Sequence, residues 1–300
     1  MRSALLLLPI LSGVMWGAAG VFVRTLSDFG MDGPTIVFSR VSLAAIMMLA
    51  VILVSDRRWL RFDPHDLRMF VACALAMLGL NAFYTVSVDV LSLSLAAVLL
   101  SLSPVFMLVM AAVIFRERVT ARKVVCMVAS IFGCVLVSGF LEGDHGLSVS
   151  GIMAGLAAAF FYALYGIISK RAASRGYTTY TILFYCLLIS TVVLIPFSDL
   201  GMMADYVSGG LADLGYLILH AAVASFLPYI LYTTAMSRME GGTASILAAA
   251  GEPTAAAMFG LLFFTEIPTP LMLVGMVIAI GSMAVMCMPS GSTRSPAAQN

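Results

Sequence analysis

Long apolar stretches separated by short polar breaks follow one another along nearly the whole chain. Each stretch is close to the length of about 20 residues that an α-helix needs to cross a bilayer. The pattern indicates an all-α polytopic membrane protein with a short polar tail over residues 289–300. Ten transmembrane helices are predicted, near residues 4–23, 34–54, 69–88, 91–115, 121–140, 150–169, 178–197, 211–236, 243–264 and 268–288.

A short motif in the first half of the chain has a counterpart in the second half. The segment 101–117 carries Pro104 and the segment 250–266 carries Pro253. The two prolines are 149 residues apart, and so are the glutamates that close the two segments. The chain is therefore interpreted as a duplication.

Two five-helix repeats, over residues 1–140 and 150–288, follow from this duplication. Because the first repeat crosses the membrane an odd number of times, the second repeat enters from the opposite face. The repeats are thus expected to have inverted topology. Inverted repeats are typical of secondary transporters that open alternately to the two sides.

The basic residues are segregated by loop. With the amino terminus placed in the cytoplasm, fourteen of the 16 Lys and Arg residues fall on the cytoplasmic side. Arg24 alone lies on the opposite side, and Arg40 lies within a span. The positive-inside rule then places both termini in the cytoplasm. No basic face predicts binding to nucleic acid.

Composition supports a membrane protein without a soluble domain. Hydrophobic residues make up 62% of the chain and charged residues 10%, whereas soluble domains carry roughly 25% charged residues. The first stretch lacks an Ala-x-Ala cleavage pattern, so it is interpreted as a span rather than a removable signal. The cysteines fall in apolar stretches without metal-site spacing, which predicts packing roles and no metal or cofactor: Cys73, Cys126, Cys134, Cys186 and Cys287.

The repeated motif resembles a known family. The runs Ser101–Phe106 and Phe115–Val119, followed by an apolar span to Gly139, are similar to the repeat signature of the EamA-type branch of the drug/metabolite transporter superfamily. Trp16 and Arg40 also sit where that repeat usually carries such residues. The resemblance covers essentially the whole chain, and within the superfamily it is to bacterial amino-acid exporters, including the aromatic type.

The resemblance implies a secondary transporter or facilitator in the bacterial inner membrane. Its cargo would be amino acids, apolar or aromatic, exported by alternating access, and one chain carrying both repeats would work as a monomer. The family pattern often has glycine before the closing glutamate, whereas Arg116 and Thr265 stand there in this chain. The tight turns at those two helix ends are therefore in question.

Glu252 is the only acidic residue well inside a predicted span. Intramembrane carboxylates are costly and tend to mark transport pathways or paired networks. Glu252 either contacts a substrate amine or a proton in a central cavity, or it is a structural residue at the kink of Pro253. Its counterpart in the first repeat is Ser103, which is a candidate for the same site together with Ser101.

Three prolines predict helix breaks. Pro104, Pro228 and Pro253 each deprive a carbonyl one turn earlier of its donor, at Leu100, Ala224 and Ala249. Such breaks line the cargo site in some transporters. Alternatively, they are kinks that help helices pack or rock.

Polar and aromatic side chains complete the candidate site. Asn81, Tyr84 and Ser87 share one face of the third helix and either face the substrate or bond to other helices. The small residues around Glu252 either allow close packing or leave volume for substrate. An aromatic set on helices 1, 6 and 8 would suit apolar or aromatic amino acids: Trp16, Tyr162, Tyr165, Tyr229 and Tyr232.

Several charged residues are assigned structural roles. Arg40 is expected to form an ion pair or a headgroup contact, in preference to binding a substrate carboxylate. Arg116, Glu117 and Arg118 are expected to be helix-end and headgroup residues.

Two other functions are open at this point. A proton-coupled exporter of other metabolites or drugs would use Glu252 as its titrating group. A membrane-embedded enzyme is the remote alternative, since His65, His145 and His220 stand apart and form no catalytic pair. No P-loop is present for ATP coupling. We therefore expect a transporter and not an enzyme.

Overall fold

The structure is a computed structural model of the chain and describes residues 2–91, 93–137, 141, 148–264 and 267–288. The regular elements of these residues are helices, with no strand among them. The α-helices within the described ranges are α1 Arg2–Phe29, α2 Gly33–Ser55, α3 Leu67–Val90, α4 Leu93–Leu100, α5 Ser103–Phe115, α6 Ala121–Val137, α7 Val149–Ser174, α8 Thr179–Leu194, α9 Leu200–Ser208, α10 Leu211–Ala221, α11 Leu227–Arg238, α12 Gly241–Phe264 and α13 Pro270–Cys287.

Nine helical segments of the described residues are long and apolar enough to cross a membrane. The tenth expected span corresponds to α6, of which 17 residues are described before the undescribed residues 138–140. The all-helical membrane fold is thus confirmed, while the count of ten spans and the side of each terminus stay predictions. The segments are Leu5–Phe29, Gly33–Ser55, Pro64–Ser87, Val98–Phe115, Val149–Ser174, Thr179–Phe197, Leu211–Arg238, Gly241–Phe263 and Pro270–Cys287.

Helix starts follow from local sequence. At the start of α2, the Asp32 side chain accepts a hydrogen bond from the Thr35 N–H at 3.1 Å, and Pro34 occupies the first turn. At the start of α13, Thr269 caps the Met272 N–H. Such caps satisfy N–H groups that have no partner inside the helix, and a first-turn proline has no N–H to satisfy.

Two of the expected helix breaks are visible in the backbone. The fourth span is interrupted between Leu100 and Ser103, immediately before Pro104. In the eighth span, a π-helical turn over Ala222–Phe226 separates α10 from α11 just before Pro228. Both interruptions lie where proline removes a backbone donor.

The interruption expected at Pro253 is absent, because α12 runs through that position as one helix in the described backbone. The carbonyl of Ala249, which proline cannot reach with an N–H, accepts a hydrogen bond from the Cys134 thiol of α6 at 3.6 Å. A donor from a neighbouring helix therefore replaces the missing backbone bond, and this explains why the helix continues.

The two halves of the chain interlock. Helix α1 packs along α12 and α11, and α7 packs along α3, α4 and α5. Helix α2 packs against α8, and α6 packs against α13. These pairs each join a helix of one half to a helix of the other, so residues from both halves meet in the middle of the bundle.

Glycines set how closely two of these pairs approach. A Cβ atom on Gly17 of α1 would lie 2.8 Å from the Ala255 Cβ of α12. A Cβ atom on Gly133 of α6 would lie 2.9 Å from the Gly275 carbonyl oxygen of α13. Both distances are below van der Waals contact, so these crossings require glycine. The small residues of α12 that face α1 serve close packing.

Candidate functional site

An aromatic cluster joins three helices in the middle of the bundle. The Trp16 ring of α1 lies edge-on to the Tyr162 ring of α7, with centroids 5.7 Å apart, and to the Tyr229 ring of α11 at 5.3 Å. Trp16 also lies 5.4 Å from Tyr232. Tyr165 completes the cluster, 5.4 Å from Tyr229. We call these five residues the aromatic cluster.

The aromatic cluster is compact but keeps unused polar groups. Edge-to-face and offset rings at these centroid distances attract each other beyond their shared burial. The Tyr165 hydroxyl bonds to the Thr233 hydroxyl at 2.8 Å. The hydroxyls of Tyr162 and Tyr232 are buried and have no hydrogen-bond partner among the described atoms. The Tyr232 hydroxyl lies beside Ser245, so the Tyr162 phenol is the group left to bond to a molecule that enters the cluster.

Glu252 lies next to the aromatic cluster. It stands halfway along α12, with its backbone against Gly17, one residue from Trp16. The side chain is partly buried. Its carboxyl group is close enough to the Tyr84 and Tyr162 hydroxyls to interact with them electrostatically. No cationic side chain of the described residues approaches it within 4.0 Å.

The two candidate serines of the broken fourth span differ in their bonding. Ser101 donates a hydrogen bond to the Val98 carbonyl at 2.7 Å. It also lies beside Cys134, whose thiol bonds to α12 one turn before Glu252. Ser103 is 1% exposed, and its hydroxyl has no partner among the described atoms. The break thus places a free hydroxyl inside the bundle.

The polar face of α3 has mixed roles. Asn81 accepts a hydrogen bond from the Arg40 guanidinium of α2. Ser87 donates to the Gly151 carbonyl of α7 at 3.0 Å. These two bonds are interhelical contacts, one of the two interpretations open for this face. Tyr84, between them, is the member of the face that is near Glu252.

Arg40 does not form the ion pair that was expected for it. No acidic side chain of the described residues lies within 4.0 Å of its guanidinium, and its Nε atom is buried without a partner. Besides Asn81, its neighbours are Tyr229 and His220, both within electrostatic range. The positive charge therefore stands in the bundle without a described counter-ion.

A second group of charged residues lies at one end of the bundle, where the two halves meet. Glu117, just after α5, pairs with Lys170 of α7 at 2.9 Å and accepts the Gly241 N–H at 3.0 Å. Lys123 of α6 pairs with Glu240 at 2.8 Å. Both ion pairs join the first half of the chain to the second. We call these four charged residues, Glu117, Lys123, Lys170 and Glu240, the Glu117 network.

Glu117 is sheltered in this network, since its side chain is 10% exposed. Burial by itself raises the pKa of the Glu117 carboxyl, but the Gly241 N–H and the ammonium groups of Lys170 and Lys123 outweigh burial and leave that pKa lowered. An open cleft of about 470 Å³ over the network is lined by Phe115, Glu117, Lys170, Ser237, Arg238, Met239 and Glu240.

The Glu117 network is the part of the site that sequence reasoning missed. Arg116 and Arg118 are exposed and stay available to headgroups. Glu117, expected to act in the same way, instead pairs across the two halves. The sequence does mark this residue, because Glu117 is the last residue of the motif that is repeated in the second half of the chain. Its counterpart Glu266 lies outside the described residues, as does Thr265.

The tight turn at the end of α5 forms at Arg116, where the family pattern often has glycine. Its φ is 55° and its ψ is 33°, in the left-handed region, and its N–H bonds to the Ala111 carbonyl. The tight turn at the end of α5 is therefore made by a residue other than glycine. This conformation turns the chain so that Glu117 follows directly into the network.

Comparison with known proteins identifies one family. A model of the EamA-like transporter family matches residues 2–139 and again residues 149–288. The uncharacterized inner membrane transporter YhbE of Escherichia coli K12 is 26% identical over 250 residues, which cover 81% of this chain and 76% of that protein.

Two further similarities concern cargo and fold. A protein of Streptantibioticus cattleyicolor, named "Probable terminal-alkyne amino-acid exporter", is 24% identical over 273 residues, covering 89% of this chain and 87% of that protein. A protein of known crystal structure, 18% identical, superposes with a TM-score of 0.78 and covers 95% of this chain and 96% of that chain. This last similarity shows the fold.

Proposed function

Since the chain belongs to the EamA-like transporter family, we propose that it is a secondary transporter or facilitator that exports apolar or aromatic amino acids across the bacterial inner membrane. The observation that carries this proposal is the aromatic cluster with Glu252 beside it. The relative named "Probable terminal-alkyne amino-acid exporter" supports the same class of cargo.

The chemistry of the aromatic cluster suits such a cargo. The rings of Trp16, Tyr229 and Tyr232 offer an apolar surface to the side chain of an amino acid. Aromatic faces and the Glu252 carboxylate both attract a substrate ammonium group. The Tyr162 hydroxyl, which has no partner among the described atoms, adds a hydrogen bond that fixes its orientation.

The interlocked halves support alternating access. Residues 1–140 and 150–288 are proposed as five-helix repeats of inverted topology, because α1 packs on α11 and α12 as α7 packs on α3, α4 and α5. Rocking of one repeat against the other would expose the aromatic cluster to each side in turn. A single chain holds both repeats, so the working unit is proposed to be a monomer.

The Glu117 network is proposed as the closed end in the described conformation. Its ion pairs, Glu117 with Lys170 and Lys123 with Glu240, hold the two repeats together. By the distribution of basic residues, this end is the cytoplasmic one and both termini lie on the same side. Opening toward the cytoplasm would require these pairs to separate.

The test is counterflow in proteoliposomes with a panel of amino acids, nucleobases and sugars. We expect saturable counterflow of phenylalanine, tyrosine or leucine. Glu252→Gln is expected to slow it, and the exposed Asp205→Asn of α9 is the matched control that leaves it unchanged. Absence of saturable flux for every amino acid would refute the proposal.

The same vesicles also test the alternative of a proton-coupled exporter. The observation that favours this alternative is the position of Glu252 near the Tyr162 hydroxyl, which has no partner among the described atoms. We expect downhill export, so counterflow should proceed without a pH gradient. Strict dependence on a gradient, lost in Glu252→Gln, would instead establish a proton-coupled exporter.

A further inference from the structure

Arg40 lies inside a predicted membrane helix and has no acidic counter-ion among the described residues. It lies seven residues after the start of α2, about 10 Å along the helix axis. A guanidinium group has five N–H donors. One donates to the Asn81 side chain, and the Nε donor is buried without a partner among the described atoms. An uncompensated charge at this depth is costly unless an anion or polar group joins it.

His220 of α10 is a second unsatisfied group close to Arg40. It is 0% exposed, and neither ring nitrogen has a hydrogen-bond partner among the described atoms. Its ring stacks on Phe22 with centroids 5.4 Å apart and an interplanar angle of 16°. The stack holds the ring in place while its edges stay unpaired. Arg40 and His220 lie within electrostatic range of each other.

Tyr229 connects this group to the aromatic cluster. Its hydroxyl lies within electrostatic range of Arg40 and of Glu252, and its ring packs on Trp16. The π-helical turn between α10 and α11 contacts α1 and α2, so it brings His220 and Tyr229 toward Arg40. π-helical turns are frequent at functional sites.

The N–H and O–H groups of His220 and Tyr229 are therefore close enough to Arg40 to interact with it electrostatically, while the Asn81 side chain accepts from the guanidinium and donates to the Met77 carbonyl. Arg40 and Asn81 keep some accessible surface, as do Trp16 and Glu252. A planar fork of donors matches a carboxylate in two parallel bonds. The opposite charge, on Glu252, matches an ammonium group.

We propose that Arg40, supported by Asn81, His220 and Tyr229, binds the carboxylate of the transported molecule. This inference rests on the proposed function and narrows its cargo. A carboxylate is required, the ammonium group faces Glu252, and the side chain lies in the aromatic cluster. Amines, amides and esters of the same amino acids are excluded because they leave the Arg40 charge without an anion.

The first test uses the wild-type protein and needs no variant. Counterflow of labelled phenylalanine is measured against four competitors: phenylalanine, phenylalanine amide, 2-phenylethylamine and 3-phenylpropionate. We expect competition by phenylalanine, weaker competition by phenylpropionate, and none by the amide or the amine. Equal competition by the amide and by phenylalanine would overturn the carboxylate site while leaving amino-acid transport in place.

The second test removes the charge. Arg40→Gln is expected to raise the half-saturation concentration for phenylalanine by roughly 30-fold or more, because one partner of a buried charge pair is lost. Arg40→Lys keeps the charge without the planar fork and is expected to fall between wild type and Arg40→Gln. The exposed Arg118→Gln is the control, with no expected change. An unchanged half-saturation concentration in a folded Arg40→Gln protein would refute the inference.

Failure of the proposed function has a different signature. If the wild-type protein moves no amino acid but shows saturable, Arg40-dependent flux of phenylpropionate, the carboxylate site stands and the amino-acid cargo falls. If wild-type protein moves aromatic amines and no carboxylate, the site at Arg40 falls.

Discussion

Glu117 and Lys170 form an ion pair of 2.9 Å that ties the end of α5 in the first half of the chain to α7 in the second half. Lys123 and Glu240 form a second ion pair between the two halves, at 2.8 Å. Movement of one half against the other at this end must break both contacts. The pairs therefore hold the two halves of the chain together at this end.

Removal of either partner of the first pair is expected to open this end. A reporter cysteine at Ala244, which is 0% exposed and one turn into α12, is introduced after replacement of the native cysteines other than the buried Cys134, whose thiol bonds to α12. Glu117→Gln and Lys170→Gln should each accelerate its reaction with a maleimide. Because they break the same contact, the double variant should add little beyond either single one.

The control for this labelling is the exposed Arg116→Gln, which should leave the rate unchanged. Equal labelling in wild type and in both single variants would show that the Glu117 network does not hold this end closed.

The pH dependence of the Glu117 network has a definite sign. The pKa of Glu117 is lowered from an ordinary value of 4.5, so the folded protein prefers the ionised carboxylate. The carboxylate therefore contributes its full stabilisation at pH values above the ordinary pKa of the unfolded chain. This stabilisation is lost as the pH falls through the lowered pKa of the folded protein. The thermal midpoint of wild type should exceed that of Glu117→Gln equally between about pH 6 and 8.

Below about pH 4 the two midpoints should converge. A difference that instead disappears as the pH rises from 6 to 8 would mean that the partners of Glu117, rather than its carboxylate, titrate in this range.

Two glycines of α1 provide a matched pair. A Cβ atom on Gly17 would meet the Ala255 Cβ at 2.8 Å, whereas one on Gly20 would have none of the described atoms of neighbouring elements within 4 Å. Gly17→Ala is expected to destabilise the protein by about 1 to 3 kcal/mol through overpacking and to impair transport. Gly20→Ala should leave the flux unchanged and should raise rather than lower the thermal midpoint, because alanine favours a helix over glycine. Equal tolerance of both substitutions would contradict the close crossing of α1 and α12.

Arg116, at the end of α5, has a left-handed backbone conformation that glycine would adopt with less strain. Arg116 has a φ of 55°, a conformation that disfavours residues with a Cβ atom. Arg116→Gly should therefore stabilise the protein by about 1 kcal/mol, as seen in a higher thermal midpoint. Arg118→Gly, two residues on, should give no gain. A lower midpoint for Arg116→Gly would show that its side chain, rather than its backbone, matters at this turn.

Spans and candidate side chains could be predicted from the sequence because both depend on local patterns. The apolar stretches gave the helices, and Trp16, Tyr162 and Tyr229 were expected together on helices that proved to be neighbours. The break near Pro104 also follows from one residue, since proline lacks an N–H.

Other features depend on partners from distant helices, which no local pattern reveals. The continuity of α12 at Pro253 depends on Cys134, 115 residues before Ala249 in the chain. The pairing of Glu117 with Lys170 and the lack of a described acid beside Arg40 are likewise results of tertiary packing. Charge type alone could not distinguish a headgroup contact from an ion pair between the two halves.

Binding of cargo at the aromatic cluster can be measured directly, because the chain has two tryptophans and one of them lies in the cluster. Trp59 stacks on Tyr180 outside the aromatic cluster, with ring centroids 4.5 Å apart, so Trp59→Phe leaves Trp16 as the sole tryptophan, whose emission can be excited selectively over that of tyrosine. Titration of this variant with phenylalanine should change Trp16 emission saturably, with the half-saturation concentration of counterflow. The reciprocal Trp16→Phe variant should show no such change. Saturable phenylalanine counterflow without any response of Trp16 would contradict binding at the aromatic cluster.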